Sequence, residues 1–452
     1  MLTPAAGGTS SPLLLYFGVV RIVAIVAALL AVAGAQASQP AARPLVGLKA
    51  PEGPLLGIVW SGRTAELAPL DKTTLEPAGK GLPITDPAAA DYSPDGSQLA
   101  LGSSRSPLVR FVDVARLETL RSVKLGRGGD VERIDWLGTG AAVVLYAAPD
   151  GTTIAWVDPT TGEVSKRTRL GANPYQAVSG GGRVVLLLPP RHKGIGAARL
   201  EIVGADGRTS VVRLPKIRIG STVPRARTVF RRIQPGLALA PETGHAYVVG
   251  TDGVVADVDV RSLKVTNHSL ARRSLAARLG AWLVPAAEAK ELAGPALDAQ
   301  WLGEGLLAVA GTSYSATIGK NGETQSATPL GLRVIDVRSW TQRTLDAGAD
   351  GFALGNGALL AYGVRSEFGT TTQSVSGMGI VAYGTDGSAR FHLLPTVPVA
   401  SLQVNGGLAY GWLVDAANPW HLVVLDIAAG TVVRDLQLAH PTRLLVGDSS
   451  FF

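Results

Sequence analysis

Arginine residues are concentrated between residues 190 and 232, and the chemistry they suggest is the binding of anions. Only Glu201 and Asp206 oppose them in this segment. A guanidinium matches phosphate and carboxylate groups with two parallel donors, and clustered positive charge raises the local concentration of anions. A solvated basic surface is the alternative interpretation. The basic residues are Arg191, Lys193, Arg199, Arg208, Arg213, Lys216, Arg218, Arg225, Arg227, Arg231 and Arg232.

Other common chemistries lack their residue patterns. None of the 6 histidines has a second histidine or a carboxylate at metal-ligand spacing, so no metal site is expected. No G-x-S-x-G elbow occurs, and no G-x-G-x-x-G follows a strand to open a helix. We therefore name no catalytic residue and expect no cofactor. His192 and His421 are the two histidines worth testing, since both are placed in or beside long loops.

The arginines must be positioned by a repeated unit, seen most clearly from Asp91 to Gly126. Ser93-Pro94-Asp95-Gly96 predicts a tight turn, in which proline presets φ and glycine accepts the left-handed conformation. Gln98–Gly102, Val109–Asp113 and Thr119–Leu125 predict short strands after the turn, and a further strand is expected before it. Each unit thus has four strands, a to d. We find eight copies of strand b and eight of strand c along the chain.

Several of these units resemble a known repeat. The segments SPDGSQLAL, VRFVDV, WVDPTTGEV and VLDIAAGTV resemble the WD40-like and YVTN-type β-propeller repeats. The resemblance covers nearly all of the mature chain and implies an all-β fold, a single β-propeller of about eight four-stranded blades, with seven as the alternative count. The Trp-Asp pair of WD40 repeats is absent from the c strands, so WD40-type partners are not implied.

The two ends of the chain complement each other. The first unit starts with strand b at Leu55–Trp60 and has no evident strand a, whereas Thr442–Gly447 follows the last complete unit as one more strand. We expect these two strands to pair, which closes the ring and leaves no open sheet edge. The aspartates that end the c strands are expected to cap the turns that follow.

The long connections predict where binding occurs. In a four-stranded antiparallel blade, the b–c and d–a connections leave from one end, and all long connections here are of these two kinds. Elaborated loops on a rigid scaffold are where binding residues concentrate, so the opposite end is expected to carry little. The long connections are Pro189–Gly196, Ile217–Gln234, Ala271–Leu297, Thr312–Pro329, Val364–Met378 and Asp415–Trp420. The composition of Ala271–Ala293 predicts one or two short helices.

Candidate binding residues follow from charge and loop placement. Arginines in the two d–a connections come first, and aromatic residues in the b–c connections come second, because exposed aromatics beside arginine suit a sugar or peptide partner. The alternative for the aromatics is packing back onto the blades. The candidates are Arg225, Arg227, Arg231, Arg232, Arg272, Arg273, Tyr314, Phe368 and Trp420.

The N-terminus indicates export. An apolar run, Ile22–Ala33, follows Arg21 and precedes a small-x-small site, Ala35-Gln36-Ala37. Leu13–Val20 is a second apolar run, so a retained anchor is the alternative to cleavage. The chain has 0 cysteines, which excludes a lipoprotein anchor, disulfides and thiolate metal sites. The predicted parts are a signal peptide or retained signal anchor at 1–37, a Pro/Ala-rich linker at 38–52 and a propeller at 53–452.

The functional expectation is a non-catalytic exported binding or scaffold protein, secreted or anchored to the outer face of the cytoplasmic membrane. Its expected partner is an anionic cell-envelope polymer or another envelope protein, and a monomer is expected. Nucleic acid is not expected, because Phe230 alone supplies an aromatic ring for base stacking within the basic segment. The alternative is a propeller enzyme, lactonase-like or lyase-like, with its site at the central channel.

Overall fold

The computed structural model describes residues 43–446 except 46, 51, 63, 150, 193, 223–230, 271–290, 320–321, 370–372 and 416. The expected targeting segment, 1–37, lies outside the described residues. The described residues form strands, turns and irregular segments, and among them no helix is long and apolar enough to cross a bilayer. The all-β prediction is therefore confirmed.

The strands pair antiparallel in successive groups of four, which we number as blades 1 to 8. Blade 1 contains β1 (Leu56–Ser61), β2 (Thr64–Pro69) and β3 (Leu82–Ile84). Blade 2 contains β4 (Pro87–Tyr92), β5 (Gln98–Ser103), β6 (Leu108–Asp113) and β7 (Glu118–Lys124). Blade 3 contains β8 (Val131–Trp136), β9 (Ala142–Ala148), β10 (Gly151–Val157) and β11 (Val164–Arg169).

Blades 4 to 6 follow, and blades 4 and 6 contain strands longer than those of blades 2 and 3. Blade 4 contains β12 (Gln176–Gly180), β13 (Arg183–Leu188), β14 (Gly196–Gly204) and β15 (Thr209–Thr222), and the short β16 (Arg231–Ile233) follows it. Blade 5 contains β17 (Gly236–Ala240), β18 (His245–Val249), β19 (Val254–Asp259) and β20 (Val265–Ser269). Blade 6 contains β21 (Glu291–Gly303), β22 (Leu306–Gly319), β24 (Leu332–Asp336) and β25 (Thr341–Asp346), with β23 (Gly322–Pro329) between β22 and β24 in sequence.

Blades 7 and 8 complete the series. Blade 7 contains β26 (Gly351–Gly355), β27 (Ala358–Phe368), β28 (Gln373–Tyr383) and β29 (Ala389–Leu393). Blade 8 contains β30 (Val399–Asn405), β31 (Leu408–Leu413), β32 (His421–Asp426) and β33 (Thr431–Gln437). The last strand, β34 (Thr442–Leu445), pairs antiparallel with β1 and supplies the fourth strand of blade 1, which is the pairing expected from the sequence.

Apolar clusters between neighbouring blades form the core. In the described residues each neighbouring pair, including blades 8 and 1, shares one such cluster. Between blades 2 and 3, for example, Phe111 is fully buried and its ring meets that of Trp136 edge-on at 5.7 Å between centroids. Alternation along each strand sends one set of apolar side chains to each neighbouring blade, so no blade buries its faces alone.

The segment just before blade 1 also packs on the blades. The folded unit begins at Leu45. Leu45 and Leu48 are buried in the cluster between blades 6 and 7, and the Gly357 N–H donates to the Leu48 carbonyl. The predicted boundary between linker and propeller at residue 53 stays a prediction, and this part of the predicted linker contributes apolar surface to the core.

Turn chemistry fixes the ends of the strands. Gly96 has φ of 69°, as the tight turn of blade 2 requires. Aspartates at the ends of the c strands cap the following turns, as expected. The Asp259 carboxylate accepts hydrogen bonds from the side chain of Ser262 and from the backbone N–H groups of Arg261 and Ser262. These bonds stabilise the charged form and lower the pKa of Asp259 to about 2.

Candidate binding surface

Two connections predicted as loops are extended hairpins, which corrects the sequence interpretation. Thr312–Pro329 lies in the outer part of β22 and in β23, and most of Val364–Met378 lies in the outer parts of β27 and β28. β23 also pairs with β27, so Gln325 lies opposite Phe368 and the hairpins of blades 6 and 7 form one sheet. Polar side chains made these segments resemble loops, but the pairing partners satisfy their backbone groups.

This sheet continues to blade 4. β15 extends to Thr222 and pairs with β16, and β16 runs parallel to the start of β21, where Arg231 lies opposite Ala293. A Cβ on Gly294 would lie 1.7 Å from the carbonyl oxygen of Arg232, so only glycine allows this close approach. We call the outer parts of β15, β21, β22, β27 and β28, together with β16 and β23, the loop-side sheet. It gives the surface a hydrogen-bonded backbone.

The segment predicted as one or two short helices, Ala271–Ala293, ends in a strand. Residues 271–290 lie outside the described residues. The last three residues, Glu291–Ala293, belong to β21 and pair with β22. The helix prediction is therefore wrong for those three residues, because strand pairing overrides the composition of the segment.

Of the predicted arginines, Arg232 is the one whose side chain the structure describes. It is exposed, its Nη2 donates a hydrogen bond of 2.9 Å to Gln234 Oε1, and its guanidinium carbon lies 5.6 Å from the ring centroid of Tyr175. Both contacts orient the guanidinium and leave it open to solvent. The backbone of Arg231 lies in β16. Arg225, Arg227, Arg272 and Arg273 lie outside the described residues.

The aromatic candidates separate into two places. Strand register puts Tyr314, Ala327 and Ser366 side by side, and Phe368 follows Ser366 by two residues, so Tyr314 and Phe368 share one face of the loop-side sheet. Tyr314 is 54% exposed and Phe368 is 39% exposed. Both therefore present ring surface to solvent.

Trp420 lies in the b–c connection of blade 8, whose four strands form a sheet separate from the loop-side sheet. Its ring packs edge-on against Trp412 with 6.5 Å between centroids, and it is 36% exposed. The Trp420 N–H donates to Asn418 Oδ1 within the same loop. Trp420 thus packs partly back onto its own blade and is not brought into the sheet face that carries Tyr314 and Phe368.

Blade 4 carries a basic patch whose residues are absent from the nine predicted binding residues. They are among the basic residues counted between 190 and 232. Arg191 from the b–c connection and Arg213, Lys216 and Arg218 from β15 are exposed. Arg199 in β14 is buried at 8% exposure, and strand register places it opposite Arg213. Register is the signal that could have found this patch, because arginines opposite each other on paired strands lie side by side.

Strand β21 of blade 6 and the residue just before β26 of blade 7 carry two carboxyl groups with raised pKa values. Burial raises the pKa of Asp350 to about 6, although its Oδ2 accepts the Val364 N–H at 3.2 Å. Desolvation by the surrounding protein also raises the pKa of Asp298, although part of its surface is exposed to solvent. Desolvation is the main reason why the pKa of Tyr362 is raised, and the charges of Asp350 and Asp298 raise it further. The charges of both aspartates therefore act on Tyr362.

The end of the blades that carries the a–b turns contains a cavity, although the sequence predicts little there. A cavity of about 490 Å³ opens there beside the a–b turns, with Asp91, Asp95, Trp136 and Asn405 in its wall. Glu52, from the segment before blade 1, adds a third carboxylate to the lining. The cavity is acidic, in contrast to the basic patch of blade 4.

The two histidines singled out from the sequence differ. His192 is exposed, whereas His421 lies between two carboxylates, with Nδ1 2.9 Å from Asp415 Oδ2 and Nε2 2.6 Å from Asp435 Oδ1. Burial lowers the pKa of His421, and the hydrogen bonds to Asp435 and Asp415 outweigh burial and raise it. Among the described residues, no group of three or more histidines, cysteines or acidic residues is arranged to hold a metal ion.

Comparisons with known proteins support the fold. No protein-family model matches the sequence, and no curated protein is similar enough to be a relative. The solved structure of dihydro-heme d1 dehydrogenase NirN in complex with DHE is similar over 91% of this chain and 78% of that chain, with 13% identity and a TM-score of 0.52. This likeness shows the fold, a β-propeller, which confirms the expectation from the repeats.

Two further solved structures are more distant. Apo AztD from Citrobacter koseri is similar over 88% of this chain and 99% of that chain, with 10% identity and a TM-score of 0.49. The Swd1 β-propeller domain from Myceliophthora thermophila is similar over 78% of this chain and 86% of that chain, with 11% identity and a TM-score of 0.38.

Proposed function

We propose that this β-propeller is an exported, non-catalytic binding protein that engages an anionic component of the cell envelope through its loop side. The observation that carries the proposal is the excess of arginine around the loop side of blade 4, next to the loop-side sheet. Arg191, Arg213, Lys216, Arg218 and Arg232 all have exposed side chains there. Clustered exposed cations steer and hold anionic partners, and this attraction weakens as salt screens it.

Support for an envelope location comes from the sequence. Residues 1–37 have the features of an export signal, so an extracytoplasmic site of action is our proposal for its location. The exposed rings of Tyr314 and Phe368 add apolar surface on the same sheet, which suits the sugar rings of a polymer or the side chains of a protein partner.

The test is binding of the full chain to soluble anionic polymers, one with phosphodiester groups and one with uronic acids, at low and at high salt. Arg232→Glu reverses a charge beside the loop-side sheet and should weaken binding roughly tenfold at low salt. Arg261→Glu reverses an exposed charge in the c–d turn of blade 5, at the other end, and serves as the matched control. Equal affinity of Arg232→Glu and the wild type, or wild-type binding that does not depend on salt, would refute the proposal in favour of a protein partner.

Catalysis at the central channel is a second candidate, favoured by the raised pKa values of Asp350 and Asp298 beside Tyr362. A carboxyl group with a pKa of about 6 can act as a general acid below that pH and as a general base above it. Asp350→Asn removes the acid and keeps an acceptor for the Val364 N–H. Loss of a lactone-hydrolysing or lyase activity in this variant, with polymer binding intact, would support the enzyme over the binding protein.

A further inference from the structure

Arg199 is a buried cation whose hydrogen-bonding capacity is only partly used. It lies in β14 with 8% of its surface exposed, and its Nε donates to the Pro189 carbonyl at 3.2 Å. Its Nη2 is buried and has no hydrogen-bond partner among the described residues. A buried donor on a charged group is costly when it stays unpaired, so this nitrogen indicates a missing acceptor.

A second guanidinium approaches the same place. A Cβ on Gly171 would lie 3.7 Å from Nη2 of Arg199 and 3.8 Å from Nε of Arg191. The two side chains therefore meet beside a residue that has no side chain of its own. Gly171 belongs to the connection between blades 3 and 4, and Arg191 belongs to the b–c connection of blade 4. Guanidinium groups from two segments of blade 4 thus meet beside the connection from blade 3.

Local charge at this place is positive. Arg191 and Arg213 repel Arg199, and Glu201, two residues along the same strand, attracts it. Burial is the main reason why the pKa of Arg199 is lowered, and burial also raises the pKa of Glu201. Three arginines against one carboxylate leave an excess that an incoming anion would neutralise.

We propose that Arg199, Arg191 and Gly171 form a binding site between blades 3 and 4 for one oxyanion group, a phosphate ester or a carboxylate. The inference rests on the proposed function, because it names the chemical group of the anionic partner that this surface recognises. Arg199 sits at the base of the site, fixed by burial and by its bond to Pro189. Arg191 is exposed at the entrance, so the group can enter while it remains attached to a larger molecule. Two arginines suit an oxyanion because each can donate two parallel hydrogen bonds.

The experiment measures the Tm of the full chain with inorganic phosphate, sulfate or glucuronate, at constant ionic strength set with sodium chloride. Binding to the folded state raises stability by RT ln(1 + L/Kd), so Tm rises with the logarithm of the anion concentration L once L exceeds Kd. We expect such a concentration-dependent rise with at least one anion. Phosphate and sulfate without glucuronate would indicate a phosphate ester as the natural group, and glucuronate alone would indicate a carboxylate.

The variants locate the effect. Arg199→Gln should abolish the rise, and Arg191→Gln should reduce it. Arg208→Gln, which removes an exposed arginine from the c–d turn of the same blade, is the control and should respond as the wild type does. If Arg199→Gln does not fold, Gly171→Val fills the site while both arginines remain, and it should also abolish the rise.

Two outcomes overturn the inference: no concentration-dependent rise in the wild type with any of the three anions, or an equal rise in the wild type, Arg199→Gln and Gly171→Val. These outcomes leave polymer binding at Arg232 intact and so differ from failure of the proposed function. Conversely, an anion effect that depends on Arg199, in a protein that binds neither polymer, would keep the site and refute the polymer as its partner.

Discussion

Leu56 in β1 lies directly opposite Leu445 in β34, although the two residues belong to opposite ends of the folded chain. Each is 1% exposed. β34 covers the edge of β1 that would otherwise offer unpaired backbone groups to solvent or to another chain. β34 is therefore the fourth strand of the first blade, which joins residues from the two ends of the folded segment.

Shortening the side chain at this pairing should destabilise the protein. Leu445→Ala removes buried methyl groups from the cluster between blades 1 and 2, and a substitution of this kind costs about 2–5 kcal/mol. Urea unfolding followed by tryptophan fluorescence measures the change. Leu120→Ala, at a leucine that is 48% exposed in β7, is the control and should leave the midpoint nearly unchanged. Similar midpoints for the two variants would show that β34 does not hold blade 1 together.

The turns and strands of the blades were predictable from the sequence because their signals are local. The turn at Ser93–Gly96 and the capping aspartates at the ends of the c strands act within a few residues, so they are readable without any tertiary information. Side-chain alternation then places the strands between the turns. The pairing of β34 with β1 was predictable because an incomplete unit at one end matched an extra strand at the other.

The binding surface was less predictable because its contacts are not local. The hairpins of blades 6 and 7 are strands because β23 finds β27, and neither segment has a strong strand pattern alone. Arg199 and Gly171 meet through the packing of blade 4 on blade 3, which no spacing in the sequence encodes. The sequence thus predicts the charge and the end of the blades that carries the long connections, while strand register decides which residues lie side by side.

A buried ion pair in blade 3 gives a second prediction. The Arg133 guanidinium donates two hydrogen bonds of 2.7 Å to the Asp135 carboxylate, and the exposures of the two residues are 6% and 0%. Removing one partner leaves the other charge buried, which costs about 3–5 kcal/mol. Asp135→Leu should therefore lower the free energy of unfolding by this amount.

The double variant separates desolvation from packing. Arg133→Met combined with Asp135→Leu removes both charges and should recover most of the lost stability, because a buried pair roughly balances its own desolvation. Denaturant titrations of the single and double variants supply the cycle. A double variant as unstable as the sum of the single variants would mean that the two side chains act independently.

His421 should make stability depend on pH in blade 8. Its folded-state pKa is raised above the usual 6.5 by Asp435 and Asp415, despite opposing burial. The stabilisation is therefore fully present below about pH 6.5 and is lost as pH rises through the raised folded-state value. Thermal unfolding from mildly acidic to mildly alkaline pH measures this loss. His421→Gln should flatten the profile in this window, and His192→Gln, at an exposed histidine, should not. A profile that is the same in His421→Gln and the wild type would exclude the charged triad.

Asp350 should also make stability fall as pH rises, in a more acidic window than His421. Burial raises its folded-state pKa from 3.8 to about 6, so between these two values the folded state binds more protons than the unfolded state. Stability should then fall as pH rises from about 4 to 6, with an upper bound of about 3 kcal/mol, and the full loss persists at neutral pH. Asp350→Asn removes the charge and keeps the acceptor for the Val364 N–H, so it should raise the Tm at pH 7 and have little effect near pH 4. Glu304→Gln, at an exposed carboxylate of blade 6, is the control and should change the profile little. A lower Tm for Asp350→Asn at pH 7 would mean that the carboxylate is held ionised by a favourable interaction, and the basis for a channel acid would be lost with it.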